Sequence, residues 1–141
     1  MATTRTANAN WEGALADGRG TVSLDSSGIG RFDVSWPSRA EQPNGQTSPE
    51  ELIAAAHATC FSMALSHGLG QGGHRPENID TRADVTFQPG EGITGIHLVV
   101  RATVPGLSPE DFQKVATGAK ENCPVSQALA GTTITLDAAL V

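Results

Sequence analysis

The chain has 141 residues, 38% of them hydrophobic and 17% charged, and a formal net charge of −6. That length reads as one domain, 1–141, able to bury a core without disulfide or metal staples. The negative charge argues against a nucleic-acid surface, which needs clustered Lys and Arg, and no apolar run approaches the roughly 20 residues of a membrane span. Met1 to Trp11 is polar and shows no signal peptide, so the expected compartment is the reducing cytoplasm. Two cysteines there are too few for a disulfide scaffold or a four-cysteine zinc site. They are either inert core residues or a working redox pair.

The first 36 residues read as strands. Trp11 anchors one near the end of Thr4 to Gly13. Thr21 to Leu24 forms a second between turn signals. Phe32, Val34 and Trp36 alternate with polar neighbours in a third. Pro37 to Thr47 is polar and holds two prolines, and is expected to be a loop of the functional kind, carrying Arg39. Ser48-Pro49-Glu50-Glu51 then opens a helix with a capping box, expected to run to about His67 and stop at Gly68. Its apolar residues cover every face, so it should be buried. A chain this short does not wrap such a helix alone, which implies cover from a second subunit.

Beyond a Gly-rich turn at Gly68 to Gly73, Thr81 to Phe87 and Ile96 to Val104 alternate as strands. Pro89-Gly90-Glu91-Gly92 joins them as a hairpin. Ser108-Pro109-Glu110-Asp111 caps a second helix, with Phe112, Val115, Ala116 and Ala119 on one face. Cys123-Pro124 opens a short third helix, and Ile134 to Leu140 is a last strand. The order is that of an α+β domain with a largely antiparallel sheet.

Cys60, in the middle of the first helix, is on its own a small buried hydrophobe whose apolar surroundings keep the thiol protonated; to react it needs a cation. Cys123, at a helix start, has backbone N–H groups and a dipole that favour a thiolate, and by local physics it is the better nucleophile. No C-x-x-C is present, so any partnership must come from folding. His57, His67, His74 and His97 have no metal-ligand spacing; His57 reads as a hydrogen-bonded interior residue, and His74 and His97 as surface residues. No phosphate loop or G-x-S-x-G elbow is present.

The run Ser48-Pro-Glu-Glu-Leu-Ile-Ala-Ala-Ala-His-Ala-Thr-Cys60-Phe-Ser-Met-Ala-Leu, with Cys123-Pro-Val-Ser-Gln-Ala-Leu129 downstream, resembles the osmotically inducible protein C (OsmC) family, a relative of the organic hydroperoxide resistance proteins. The resemblance runs from Trp11-Glu12-Gly13 to Ile134-Thr-Leu-Asp137. It implies an intertwined homodimer, with mainly antiparallel sheets packed around buried central helices. It also implies a thiol-dependent peroxidase that prefers organic hydroperoxides. Cys60 becomes the peroxidatic and Cys123 the resolving cysteine, reversing the order the dipole suggests. Arg39 and Glu50 take the family's arginine and glutamate positions. Arg19, in Gly18-Arg19-Gly20, is the second choice for the arginine, since the hydroperoxide-resistance branch draws it from such a stretch. The implied partners are a hydroperoxide and a small or lipoyl-type dithiol, with no metal or organic cofactor. The competing expectation is a non-catalytic dimer that senses redox state or holds an apolar ligand.

Overall fold

In a computed structural model all 141 residues are described, and the chain divides into two compact units, Met1–Leu52 and Ile53–Val141. The first unit is built on β1 (Asn8–Glu12), β2 (Arg19–Ser23) and β3 (Arg31–Val34), an antiparallel meander in that spatial order. Trp11 lies opposite Gly20 in the register, so its ring rests where the partner strand has no side chain. The strand expected to reach Trp36 stops at Val34, and the loop expected from Pro37 begins instead as a helix, α1 (Trp36–Ala40). Ser35 caps it: its hydroxyl accepts the Ser38 N–H at 3.2 Å, while the Ser38 hydroxyl accepts the Ser35 N–H at 3.0 Å. This reciprocal box, with Pro37 in the first turn, supplies the local order that an apolar stripe provides elsewhere.

Helix α2 (Pro49–Gln71) starts at the end of the first unit and continues through the second. Ser48 caps it by accepting the Glu51 N–H at 3.1 Å, and the Glu51 carboxylate accepts the Thr47 hydroxyl at 2.6 Å. The helix runs past Gly68, where it was expected to stop. A β-carbon at Gly68 would sit 3.1 Å from Val115 Cγ1, so the glycine marks a close approach rather than an end. The stop comes at Gly73, with φ +81°. There His74 N–H bonds Leu69 C=O and Gly73 N–H bonds Gly70 C=O, the paired bonds of a Schellman cap.

The second unit holds β4 (Asn78–Gln88), β5 (Gly92–Thr103), α3 (Pro109–Asn122), α4 (Pro124–Ala128) and β6 (Ile134–Leu140). β4 and β5 form the expected antiparallel hairpin, with Gly90 and Gly92 at positive φ in the turn. β6 pairs with the other edge of β5 in parallel, which the chain reaches by crossing over through α3 and α4. The fold is thus α+β with mainly antiparallel sheets, as expected, and one parallel pair. Leu98, Val100 and Ala102 of β5 form a core with Phe61, Leu65 and Leu69 of α2 and Phe112, Ala116 and Ala119 of α3. Each large aliphatic or aromatic side chain buried there stabilises the unit by about 1.5–3 kcal/mol.

The buried residues of α2 are His57, Phe61, Leu65 and Leu69, a stripe at i, i+4 spacing, together with Glu50 near its start. Within the single chain the helix is therefore not buried all round. Ala55, Ala56, Thr59 and Met63 are exposed, Met63 at 68%. The helix also has the length, 23 residues, and the apolarity, a mean hydropathy of 1.3 over its best window, to cross a membrane, which the sequence reading had excluded for any segment. Its His57, Phe61, Leu65 and Leu69 stripe is buried within the chain, and Ser66 and His67 are exposed.

Candidate active site

Two constellations carry the candidate residues. The first lies at the end of the first unit. α1 presents Arg39 in its last turn, and the first turn of α2 presents Glu50. Arg39 Nε donates to Glu50 Oε1 at 3.0 Å and Nη2 donates to Oε2 at 2.9 Å, a two-pronged pair in which both components are fixed in plane. The Glu50 side chain is 8% exposed and that of Arg39 32%. The other arginine weighed from the sequence, Arg19, lies on β2 with its side chain 85% exposed, 3.7 Å from Glu12 on the neighbouring strand. The chain therefore organises Arg39, not Arg19, into a built pair.

The second constellation is in the second unit. Cys60 on α2 is half-buried, Cys123 is fully buried, both are free thiols, and the two sulfurs lie within hydrogen-bonding reach. Folding thus brings together the two cysteines that the sequence separates. Cys123 is at once the C-cap of α3 and the N-cap of α4. It makes no side-chain cap bond. The Val125 N–H of that first turn bonds Cys60 instead, so the amide expected to favour a Cys123 thiolate serves the other sulfur. Burial pushes the Cys60 thiol above its ordinary value. The hydrogen bond with Cys123 pushes the same way, and the Val125 N–H opposes it.

Cys60 opens onto a cleft of about 630 Å³ between α2 and α3. Met63, Ala64, Val115 and Ala119 make its lining largely apolar, and His67 also lines it. His57, one turn before Cys60, is fully buried, and its Nε2 lies 2.7 Å from Ser126 Oγ on α4, as an interior hydrogen-bonded histidine should. Burial lowers its pKa, so the ring is neutral at pH 7. His97, expected at the surface, is half-buried on β5, with Nδ1 2.6 Å from Thr135 Oγ1. Sequence reasoning assigned nothing to Ser126. Its place one helical turn after Cys123, opposite a histidine one turn before Cys60, was the available signal.

The family model described as OsmC-like protein matches residues 42–137. The chain is 46% identical over 132 residues to peroxiredoxin OsmC of Escherichia coli (strain K12), covering 92% of this chain and 91% of that protein. The crystal structure of the organic hydroperoxide resistance protein OhrB of Bacillus subtilis superposes with a TM-score of 0.68 at 29% identity, covering 96% of this chain and 98% of that one. An OsmC-like protein from Mycoplasma pneumoniae shares the fold at a TM-score of 0.74 and 15% identity, covering 100% of this chain and 99% of that one. The match to the family model takes in Glu50, Cys60 and Cys123 and begins after Arg39, and with the similarity to peroxiredoxin OsmC it shows that the chain belongs to the OsmC-like family.

Proposed function

We propose that the chain is a thiol peroxidase that reduces organic hydroperoxides by way of Cys60 and Cys123. The observation that carries this reading is the approach of the two free thiols at the edge of an apolar cleft. The names of its relatives, a peroxiredoxin and a hydroperoxide resistance protein, point the same way.

The Cys60 thiolate attacks one peroxide oxygen. The O–O bond breaks, the other oxygen leaves with the alkyl group and takes a proton to become the alcohol, and Cys60 is left as the sulfenic acid. Cys123 then attacks the Cys60 sulfur; an S–S bond forms, the S–O bond breaks, and water leaves. A dithiol of small or lipoyl type returns two electrons and two protons by exchange, releasing both thiols. The apolar lining suits an alkyl chain better than hydrogen peroxide. None of the groups that act on the Cys60 thiol is a cation, so its activation needs one. Arg39, held in plane by Glu50, is the proposed source, and its N–H groups would also donate to the leaving peroxide oxygen. The exposed Ala55, Ala56 and Met63 face of α2 is the proposed seat of a homodimer contact. A reducing cytoplasm suits the cycle, because it supplies dithiols.

Steady-state consumption of cumene hydroperoxide, t-butyl hydroperoxide and hydrogen peroxide with a dithiol donor tests the reading. Organic hydroperoxides should be preferred, and Cys60→Ser should abolish turnover; full activity in Cys60→Ser refutes the mechanism. The raised Cys60 pKa favours one competing reading, a non-catalytic dimer with an inert thiol. Thiol titration after one equivalent of hydroperoxide separates the two: rapid loss of both thiols belongs to the peroxidase, and slow partial loss without a disulfide to the non-catalytic dimer.

A further inference from the structure

Helix α4 has five residues, too few to hold a helix by its own hydrogen bonds, and Ser126 is its buried residue. The anchor of this helix is therefore polar. Ser126 Oγ meets His57 Nε2 at 2.7 Å, with Ser126 5% and His57 0% exposed. His57 precedes Cys60 by three positions on α2, and Ser126 follows Cys123 by three on α4. The bond thus ties together the two helices that carry the sulfurs, about one turn from each sulfur.

This anchor is not the most stable choice. The second ring nitrogen, His57 Nδ1, is buried without a hydrogen-bond partner. An unmet buried polar atom is destabilising, a cost that an apolar pair of similar size would avoid. What the polar pair supplies and an apolar pair does not is direction: a hydrogen bond has a preferred distance and angle, and so favours one placement of α4 against α2.

We propose that the His57–Ser126 hydrogen bond is a positioning device for the second chemical step, holding Cys123 in line with Cys60 while the disulfide forms. This rests on the peroxidase reading above. In that step the Cys123 sulfur replaces the hydroxyl on the Cys60 sulfur. The S–S bond forms, the S–O bond breaks, and the departing hydroxide takes the Cys123 proton as water. The first step, attack of Cys60 on the hydroperoxide, does not use Cys123 as a reactant, and α4 bears on it through two opposed effects on the Cys60 thiol, that of Cys123 and that of the Val125 N–H. A misplacement of about 1 Å is enough to slow a positioned reaction by as much as a hundredfold.

The test is single-turnover oxidation of the full-length protein by cumene hydroperoxide in wild type, Ser126→Ala and Ser126→Thr. Mass spectrometry follows disulfide and sulfinic acid, and a 1,3-diketone probe traps sulfenic acid. Ser126→Ala should oxidise Cys60 within about twofold of the wild-type rate but form the disulfide at least about tenfold more slowly. Trapped sulfenic acid should rise, and sulfinic acid should build up at excess hydroperoxide. Ser126→Thr, which keeps the hydroxyl, should restore disulfide formation. Where Ser126→Ala does not fold, His57→Gln is read by the same criteria. A wild-type disulfide rate in the variant, or an equal fall of both steps, overturns the proposal. A wild-type protein that forms neither sulfenic acid nor disulfide brings down the peroxidase reading beneath it, a result distinct from failure of the positioning role alone.

Discussion

Arg39 grips both oxygens of Glu50, with Nε at 3.0 Å from Oε1 and Nη2 at 2.9 Å from Oε2, and the carboxylate end of the pair is almost wholly buried. A lysine offers a point charge and no planar fork, so it does not reproduce this grip. Arg39→Lys should therefore lower kcat/KM for an organic hydroperoxide about tenfold and Arg39→Ala about a hundredfold, in line with the loss of a donor to a developing oxyanion. Arg19→Ala, on an exposed strand, should stay near wild type. Steady-state kinetics of the three variants decide which arginine serves the reaction.

The thiol of Cys60 is pushed up by burial and by Cys123. A raised thiol pKa means less thiolate at neutral pH than an ordinary cysteine has, unless a cation intervenes. In Arg39→Ala the rate of Cys60 alkylation by iodoacetamide should rise with pH to an inflection above the ordinary cysteine value. In the wild type the inflection should lie lower. Coincident curves for the two proteins would sever Arg39 from the thiol.

His57 is held neutral by burial, so its pKa in the folded state lies below the unfolded value near 6.5. As pH falls below that value the unfolded chain takes up a proton that the folded chain refuses. Stability supplied by the neutral ring is complete above about pH 6.5 and is lost progressively on acidification toward the lower folded value. Thermal melts from pH 7.5 to 5 should show a falling Tm in wild type and a shallower fall in His57→Gln.

Of the fold, what periodicity and capping residues encode was legible in the sequence. The β4–β5 hairpin, the Ser108 cap with the Phe112 face, and β6 all lie where alternation and caps place them. α1 was not legible as a helix, because its order comes from two serines bonding each other and from a proline, with little apolar pattern over five residues. The end of α2 was misplaced because Gly68 looks like a stop. Only the passage of Val115 against it shows that the glycine relieves a contact. The parallel pairing of β6 depends on which edge of β5 is free, and local sequence carries no trace of that. At the site, local physics favoured Cys123 as nucleophile. The amide behind that preference bonds Cys60, a contact across 65 positions that no local pattern records.

The exposed apolar side of α2 should make the oligomeric state sensitive to charge. Ala56→Glu, at an exposed site on that helix, should convert a particle of twice 14.6 kDa into one of 14.6 kDa on analytical ultracentrifugation. A wild-type protein that sediments as a monomer at micromolar concentration would remove the dimer from the proposal.

Gly73 ends α2 with φ +81°. An alanine there must adopt a left-handed backbone, costing about 1–2 kcal/mol. Gly73→Ala should lower the denaturation midpoint by that amount in urea melts and leave peroxidase turnover at saturating hydroperoxide near wild type.

Cys123 joins α3 to α4, and Cys60 sits midway along α2, so a bond between them would close a covalent ring through the chain. Within that ring lie the second half of α2, the whole β4–β5 hairpin and α3. A ring of this circumference removes so many unfolded conformations that, on the chain-entropy account, the oxidised chain gains about 4 kcal/mol of stability over the reduced one. Each catalytic cycle would then alternate the molecule between an open string and a closed loop. The resting form awaiting its reductant would be the tougher one, best able to outlast an oxidative episode in which reductant is scarce.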